Sequence, residues 1–146
     1  PAIFRSVVDS GNVAESLHDD QLGLIDAVSE FTRTFGDDLE FHVTMPSTPV
    51  ELPAAVEAAA YRIVTEAVTN VVRHAQAARC WLSISTGPTV DIDVVDDGIG
   101  VVDGAPLGVG WTAMRERATE LGGSVQITQH DPHGTHIHVR LPVSLP

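Results

Sequence analysis

An α+β fold is predicted, a two-layer sandwich in which a mixed, mostly antiparallel sheet of about five strands is covered on one face by three helices. Three observations predict it. Five short stretches alternate apolar and polar residues, and four of them pair off as hairpins across turn residues, at Gly87-Pro88 and at Asp131, Pro132 and Gly134. Three longer stretches carry apolar residues at spacings of three and four, as amphipathic helices do. Strands with a single apolar face need a helical layer to bury it. At 146 residues and 43% hydrophobic, the chain suits one core of ordinary size.

The elements follow in order. Residues 1–21 are weakly patterned and read as a linker or a helix stub, with residues 22–146 forming the domain. Residues 22–35 place Leu22, Leu24, Ile25, Val28, Phe31 and Phe35 at helical spacing, and Gly36 stops the run. Residues 39–45 alternate as a half-buried strand, closed by Pro46, Pro49 and Pro53. Pro53 suits a helix start, where its missing N–H is not needed, and the helix it opens is expected to run to about residue 76. Residues 79–86 and 89–95 form the first hairpin; 96–110 are glycine-rich and poor in apolar residues. A helix over 107–121 ends at Gly122-Gly123, and residues 124–129 and 135–141 form the last hairpin.

Charge removes several function classes. With 8 basic against 20 acidic residues and a net charge of −12, the surface repels a nucleic-acid backbone, so any anionic ligand must be held locally. The single Cys80 allows no internal disulfide, and a reducing compartment is the default. No apolar run approaches the roughly 18 residues of a membrane span, and the start at Pro1 has no signal-peptide pattern. A soluble, cytoplasmic domain without membrane contact is expected.

Three stretches can carry chemistry. On the central helix Glu66, Asn70 and His74 stand four apart beside the buried stripe of Ile63, Val64, Ala67, Val68 and Val71. A carboxylate and an amide on one face can hold a hard cation through oxygen, with a phosphate beyond it. Asp96-Asp97-Gly98-Ile99-Gly100 follows directly on a strand, which sets Asp96 at the strand's end, with Gly98 and Gly100 allowing close backbone approach. Gly108-Val109-Gly110 opens a helix, whose first amides and positive dipole end suit an anion. Neither a P-loop nor a GxGxxG fingerprint is present.

In this order the stretches resemble a known family over nearly the whole chain. Residues 66–75 resemble the N-box, 96–100 the G1 box and 108–110 the G2 box of GHKL ATPases. The chain is most similar to the ATP-binding domain of two-component sensor histidine kinases. Met114-Arg115-Glu116-Arg117, Leu121-Gly122-Gly123 and Gly134-Thr135 resemble the subclass that pairs with helix-turn-helix response regulators. Trp111 and Ala113 depart from the usual leucine and a frequent glycine. Other GHKL proteins, such as anti-sigma-factor serine kinases, share the boxes, and a nucleotide-binding regulatory module without kinase activity would share the fold.

The resemblance implies ATP and Mg2+ as cofactors. Asp96 would accept a hydrogen bond from the adenine amino group with Thr135 in support; Asn70 would ligate Mg2+; and Glu66 would orient or deprotonate the attacking group and reach the metal through water. Arg73 and His74 would lie near the phosphates, and Gly98, Gly100, Gly108, Val109 and Gly110 would complete the nucleotide site, with residues 101–107 as a short lid. Implied partners are the dimerisation and phosphoacceptor domain of the same kinase and a response regulator, and residues 1–21 would be a linker or the end of the dimerisation helix. Leu17-His18-Asp19 looks like the phosphoacceptor motif, but a glycine, a strand and three prolines separate it from the N-box, which breaks the helical hairpin that motif requires. The acceptor is therefore expected on a separate domain. His130, His133, His136 and His138 raise the question of a zinc site; with no cysteine or supporting partner apparent, a polar outer face opposite Ile137, Val139 and Leu141 is expected.

Overall fold

The computed structural model describes residues 23–35, 39–47, 51–100 and 109–144. The expected linker at 1–21, including His18, and the expected lid at 101–107 with Gly108 lie outside them. Among the described residues the order is α1 (Leu24–Arg33), β1 (Glu40–Thr44), α2 (Ala54–Asn70), a π-helical turn (Val71–Ala75), β2 (Arg79–Ser85), β3 (Thr89–Asp96), α3 (Val109–Glu120), β4 (Ser124–Gln129) and β5 (Thr135–Pro142).

The sheet has the order β1-β2-β3-β5-β4. Only the β1–β2 pair is parallel, because the two strands are joined through α2 rather than by a turn. The other three pairs are antiparallel, with Leu82 opposite Val94 and Val94 opposite Ile137. This is the two-layer α+β architecture expected from the alternating strands.

Period-two alternation sorts the strands cleanly. Residues 90, 92, 94 and 96 of β3 are buried while 89, 91, 93 and 95 are half-buried, and β2 and β5 repeat the pattern. Leu82, Ile92, Ile137 and Leu141 meet Val56, Ile63, Val64 and Val68 of α2 and Met114 and Ala118 of α3 in one core. Helix α2 lies on β3 and β5, α3 on β4 and β5, and α1 packs on α2. At the α1 contact Phe31 sits edge-on to Phe35 at 5.1 Å and to Tyr61 at 6.4 Å. Cys80 is fully buried, and burial, with Asp96 and Asp97 nearby, pushes its thiol up to about 12, so it is inert packing rather than a nucleophile.

The long helix departs from expectation at its end. Its α-helical part stops at Asn70, and the chain continues through the π turn to Gln76, whose φ of 54° is left-handed. The wider turn interrupts the four-residue hydrogen-bond register of α2 after Asn70, and the side chain of His74 lies outside the described part.

Just beyond that turn Asp97 fastens the start of β2 to the end of β3. Its Oδ1 accepts the amides of Ala78 and Arg79, both at 2.9 Å. Burial works to raise this carboxyl, yet the amide hydrogen bonds hold it below the ordinary range. Removing the acceptor leaves two amides to water at the mouth of the fold. Asp97→Ala is expected to cost about 1–2 kcal/mol, read as a lower urea midpoint with unchanged slope; an unaltered midpoint would show that the two hydrogen bonds are energetically idle.

Candidate functional site

Two clusters are built where the helices meet the sheet. The first gathers around the inner end of β3. Asp96 is 3% exposed, pointing to the helix-covered side because it continues the buried series of Val90, Ile92 and Val94. Its Oδ1 accepts the Gly98 amide at 2.8 Å, and the amide of Thr135, its register partner on β5, adds a second hydrogen bond. Burial lifts the carboxyl above its ordinary value, the charge of Asp97 adds to that, and the two amides offset it only partly. Asp96 is thus a carboxylate kept out of water at the end of a strand.

Gly134 makes the position possible. Its φ of +117° precedes β5, and a Cβ built there would collide with the backbone carbonyl of Asp96. The same turn lies against Gly100, whose Cβ position falls 2.9 Å from the Gly134 carbonyl, and His133 Nδ1 is 3.1 Å from the Gly98 carbonyl. Sequence reasoning assigned Gly134 to a turn and missed its contact with Asp96. The cue available in the sequence was a glycine directly before the strand that pairs with the Asp-Asp-Gly stretch.

The second cluster joins α2 to the start of α3. A Cβ on Gly110 would fall 2.7 Å from Oε2 of Glu66, so only glycine leaves room for that carboxylate at the first turn of α3. The carboxylate there faces the amide-rich, positive end of the helix. Asn70 follows one turn along α2, half-buried like Glu66. Arg73 is exposed in the π turn. Val109 is the first residue of α3, with its side chain outside the described part, as Gly108 is entirely.

Asp96, Gly98, Gly100 and Thr135 are therefore brought together at one end of the sheet, and Glu66 and Gly110 at the helix junction. Helix α2 links the clusters by lying across β3 and β5. The oxygen donors of Glu66 and Asn70 are of the hard kind that Mg2+ takes, so the donor set fits that ion. A buried acceptor, a glycine-lined turn and a helix start whose amides lack intrahelical partners suit a ligand with hydrogen-bond donors at one end and negative charge at the other.

Residues 55–145 match the family described as "Histidine kinase-, DNA gyrase B-, and HSP90-like ATPase". The chain belongs to that ATPase family. Among relatives of the family, sensor histidine kinase YxjM of Bacillus subtilis is 36% identical over 92 residues, covering 62% of this chain and 22% of that protein. Sensor histidine kinase LiaS of the same organism is 29% identical over 124 residues, covering 83% of this chain and 33% of that protein. The chain thus spans about a fifth to a third of the length of these relatives. In three dimensions it is similar to the histidine kinase domain of the Erythrobacter litoralis EL346 blue-light activated histidine kinase, with a TM-score of 0.72 at 16% identity, over 97% of this chain and 74% of that one. It is also similar to the ATP binding domain of PrrB from Mycobacterium tuberculosis, with a TM-score of 0.63 at 21% identity, over 84% of this chain and 96% of that one. These likenesses show the ATPase fold.

The state of Asp96 can be read from stability. Because folding raises this carboxyl, its protonated form favours the native state, and that contribution is lost as pH rises through the folded value. Asp96→Asn removes the loss. Relative to wild type, the variant's unfolding free energy is expected to climb as pH rises from about 4, the ordinary carboxylate value, through the raised folded value, a slope that a constant packing offset does not imitate. Denaturant titrations at several pH values giving parallel curves for the two proteins would contradict the raised carboxyl.

Proposed function

We infer that this chain is the ATP-binding catalytic domain of a sensor histidine kinase. It binds Mg-ATP and transfers the γ-phosphate to a histidine on a separate dimerisation domain, for relay to a response regulator. The observation that carries the reading is the buried Asp96 carboxylate at the end of β3, flanked by the Gly98 amide and Thr135, in a chain of this ATPase family. The names of its relatives support the kinase class.

The residues divide the work. Asp96 accepts the adenine amino N–H; a purine bearing a carbonyl there would present an acceptor to an acceptor, which a closed pocket penalises. Thr135, Gly98 and Gly100 shape that end of the site. At the other end the first amides of α3, at Val109 and Gly110, together with Arg73 and His74, receive phosphate oxygens. Asn70 would hold Mg2+ with its amide oxygen, with the Glu66 carboxylate in support. When bound, the ion supplies the charge neutralisation that an acidic chain lacks. Glu66 orients the attacking imidazole of the partner domain and takes up its proton. The chemistry needs positioning more than covalent help.

Calorimetry tests the binding half. Asp96→Ala is expected to abolish ATP and ADP binding while circular dichroism stays native; unchanged affinity would remove the adenine assignment. The transfer half is tested at the helix junction. Gly110→Ala places a methyl group against the flexible end of Glu66, so the fold is expected to survive and the carboxylate to move. Transfer of label from ATP to the added phosphoacceptor domain should fall at least about tenfold, the cost of a misplaced catalytic group. Undiminished transfer in that variant would exclude Glu66 from the reaction.

A further inference from the structure

Among the described residues, the face of the sheet turned away from the helices carries a second group of ligating side chains. We propose that Asp93, His136 and His138 bind a single zinc ion there, independently of nucleotide. Strand β5 sets His136 and His138 two residues apart on the outward face, and Asp93 of β3 is the register partner of His138 and diagonal to His136. Asp93 Oδ1 lies 2.7 Å from His136 Nε2 and 2.8 Å from His138 Nδ1, and the three ligand atoms all fall within 4.8 Å of one another. Two imidazoles and one carboxylate are a zinc donor set; zinc takes three protein ligands at about 2.0–2.2 Å and completes its tetrahedron with water. Opening the present hydrogen bonds by a few tenths of an ångström makes room for the ion. The side chains of Asp93, His136 and His138 are 33%, 38% and 30% exposed, so it enters directly from solvent.

Outer support for the site is also built. On the far side of His138, Nε2 lies 3.6 Å from Asp91 Oδ1. Asp91 is itself fixed by Arg140 Nε at 2.9 Å and by Thr89 Oγ1 at 2.7 Å. When zinc takes the lone pair of His138 Nδ1, the ring's one N–H resides on Nε2 and faces Asp91. Closing that 3.6 Å contact to hydrogen-bond distance would give the carboxylate–histidine–metal arrangement which fixes tautomer and ring orientation. Of the four histidines weighed from sequence, two belong to this group. His133 turns to the Gly98 carbonyl and His130 lies against Trp81 with ring centroids 6.1 Å apart, while Asp93 supplies the ligand that strand spacing alone did not reveal. Mg2+, which prefers oxygen, does not compete for two imidazoles.

Titration of ZnCl2 into the chain in magnesium-containing buffer, with and without ADP, tests the site. One equivalent is expected to bind under both conditions. His136→Gln and His138→Gln should each weaken it at least about tenfold, Asp91→Asn about tenfold at unchanged stoichiometry, and His130→Gln not at all. X-ray absorption of the wild-type complex, which relies on no variant, should show two imidazoles and otherwise oxygen. Absence of saturable one-equivalent binding, equal affinity in the His136 and His138 variants, or a zinc shell with fewer than two imidazoles would each overturn the proposal.

Discussion

Burial of one carboxylate at the inner end of β3 is the constraint on which the rest of the structure depends. A carboxylate there costs free energy unless donors meet it. The chain supplies them from both sides, the Gly98 amide from the turn that follows and the Thr135 amide from the neighbouring strand. The Thr135 donor requires the last hairpin to close against the end of β3, which Gly134 allows by having no Cβ where the Asp96 carbonyl stands. Asp97 then ties the same turn to β2. The position of the acceptor is thus over-determined by three strands.

The two faces of the sheet solve different problems. The inner face is apolar and fixes the helical layer; a slip of one residue in β3 would turn Val90, Ile92 and Val94 to water, so its register is tightly specified. The outer face reinforces that register with cross-strand pairs, Asp93 with His136 and His138 and Asp91 with Arg140. Stacking of His42 on Trp81 at 5.7 Å extends the pairing to the edge strand.

Most of the fold was legible because its signals are local. Alternation placed all five strands within about two residues, and the pairing of the hairpins followed from their turns. The π turn at Val71–Ala75 was not legible, since Val-Val-Arg-His-Ala continues a helical pattern as well as it forms a wider turn. Nor were the contacts of Asp97, of Gly134 with Asp96, or of Asp93 with two histidines 43 and 45 positions away. Each depends on which strand lies beside which, and the insertion of β5 between β3 and β4 is a long-range outcome that no short stretch encodes.

The acids of one strand and its end show how such contacts separate structural from ligand-facing groups. Asp91, Asp93 and Asp97 all meet some burial, and in each case hydrogen bonds from Arg140 and Thr89, from His136 and His138, or from backbone amides outweigh it and hold the carboxyl low. Asp96, which follows the half-buried Val95 and faces inward like Val94, is the one held high, because its two amides do not match the depth of its burial. A carboxylate satisfied by the fold has little left to offer a ligand. One that is buried and under-compensated gains from any donor that enters, and the amino edge of a purine is such a donor. The strand's alternation, which turns Asp91 and Asp93 outward to partners on β5, is also what turns Asp96 inward.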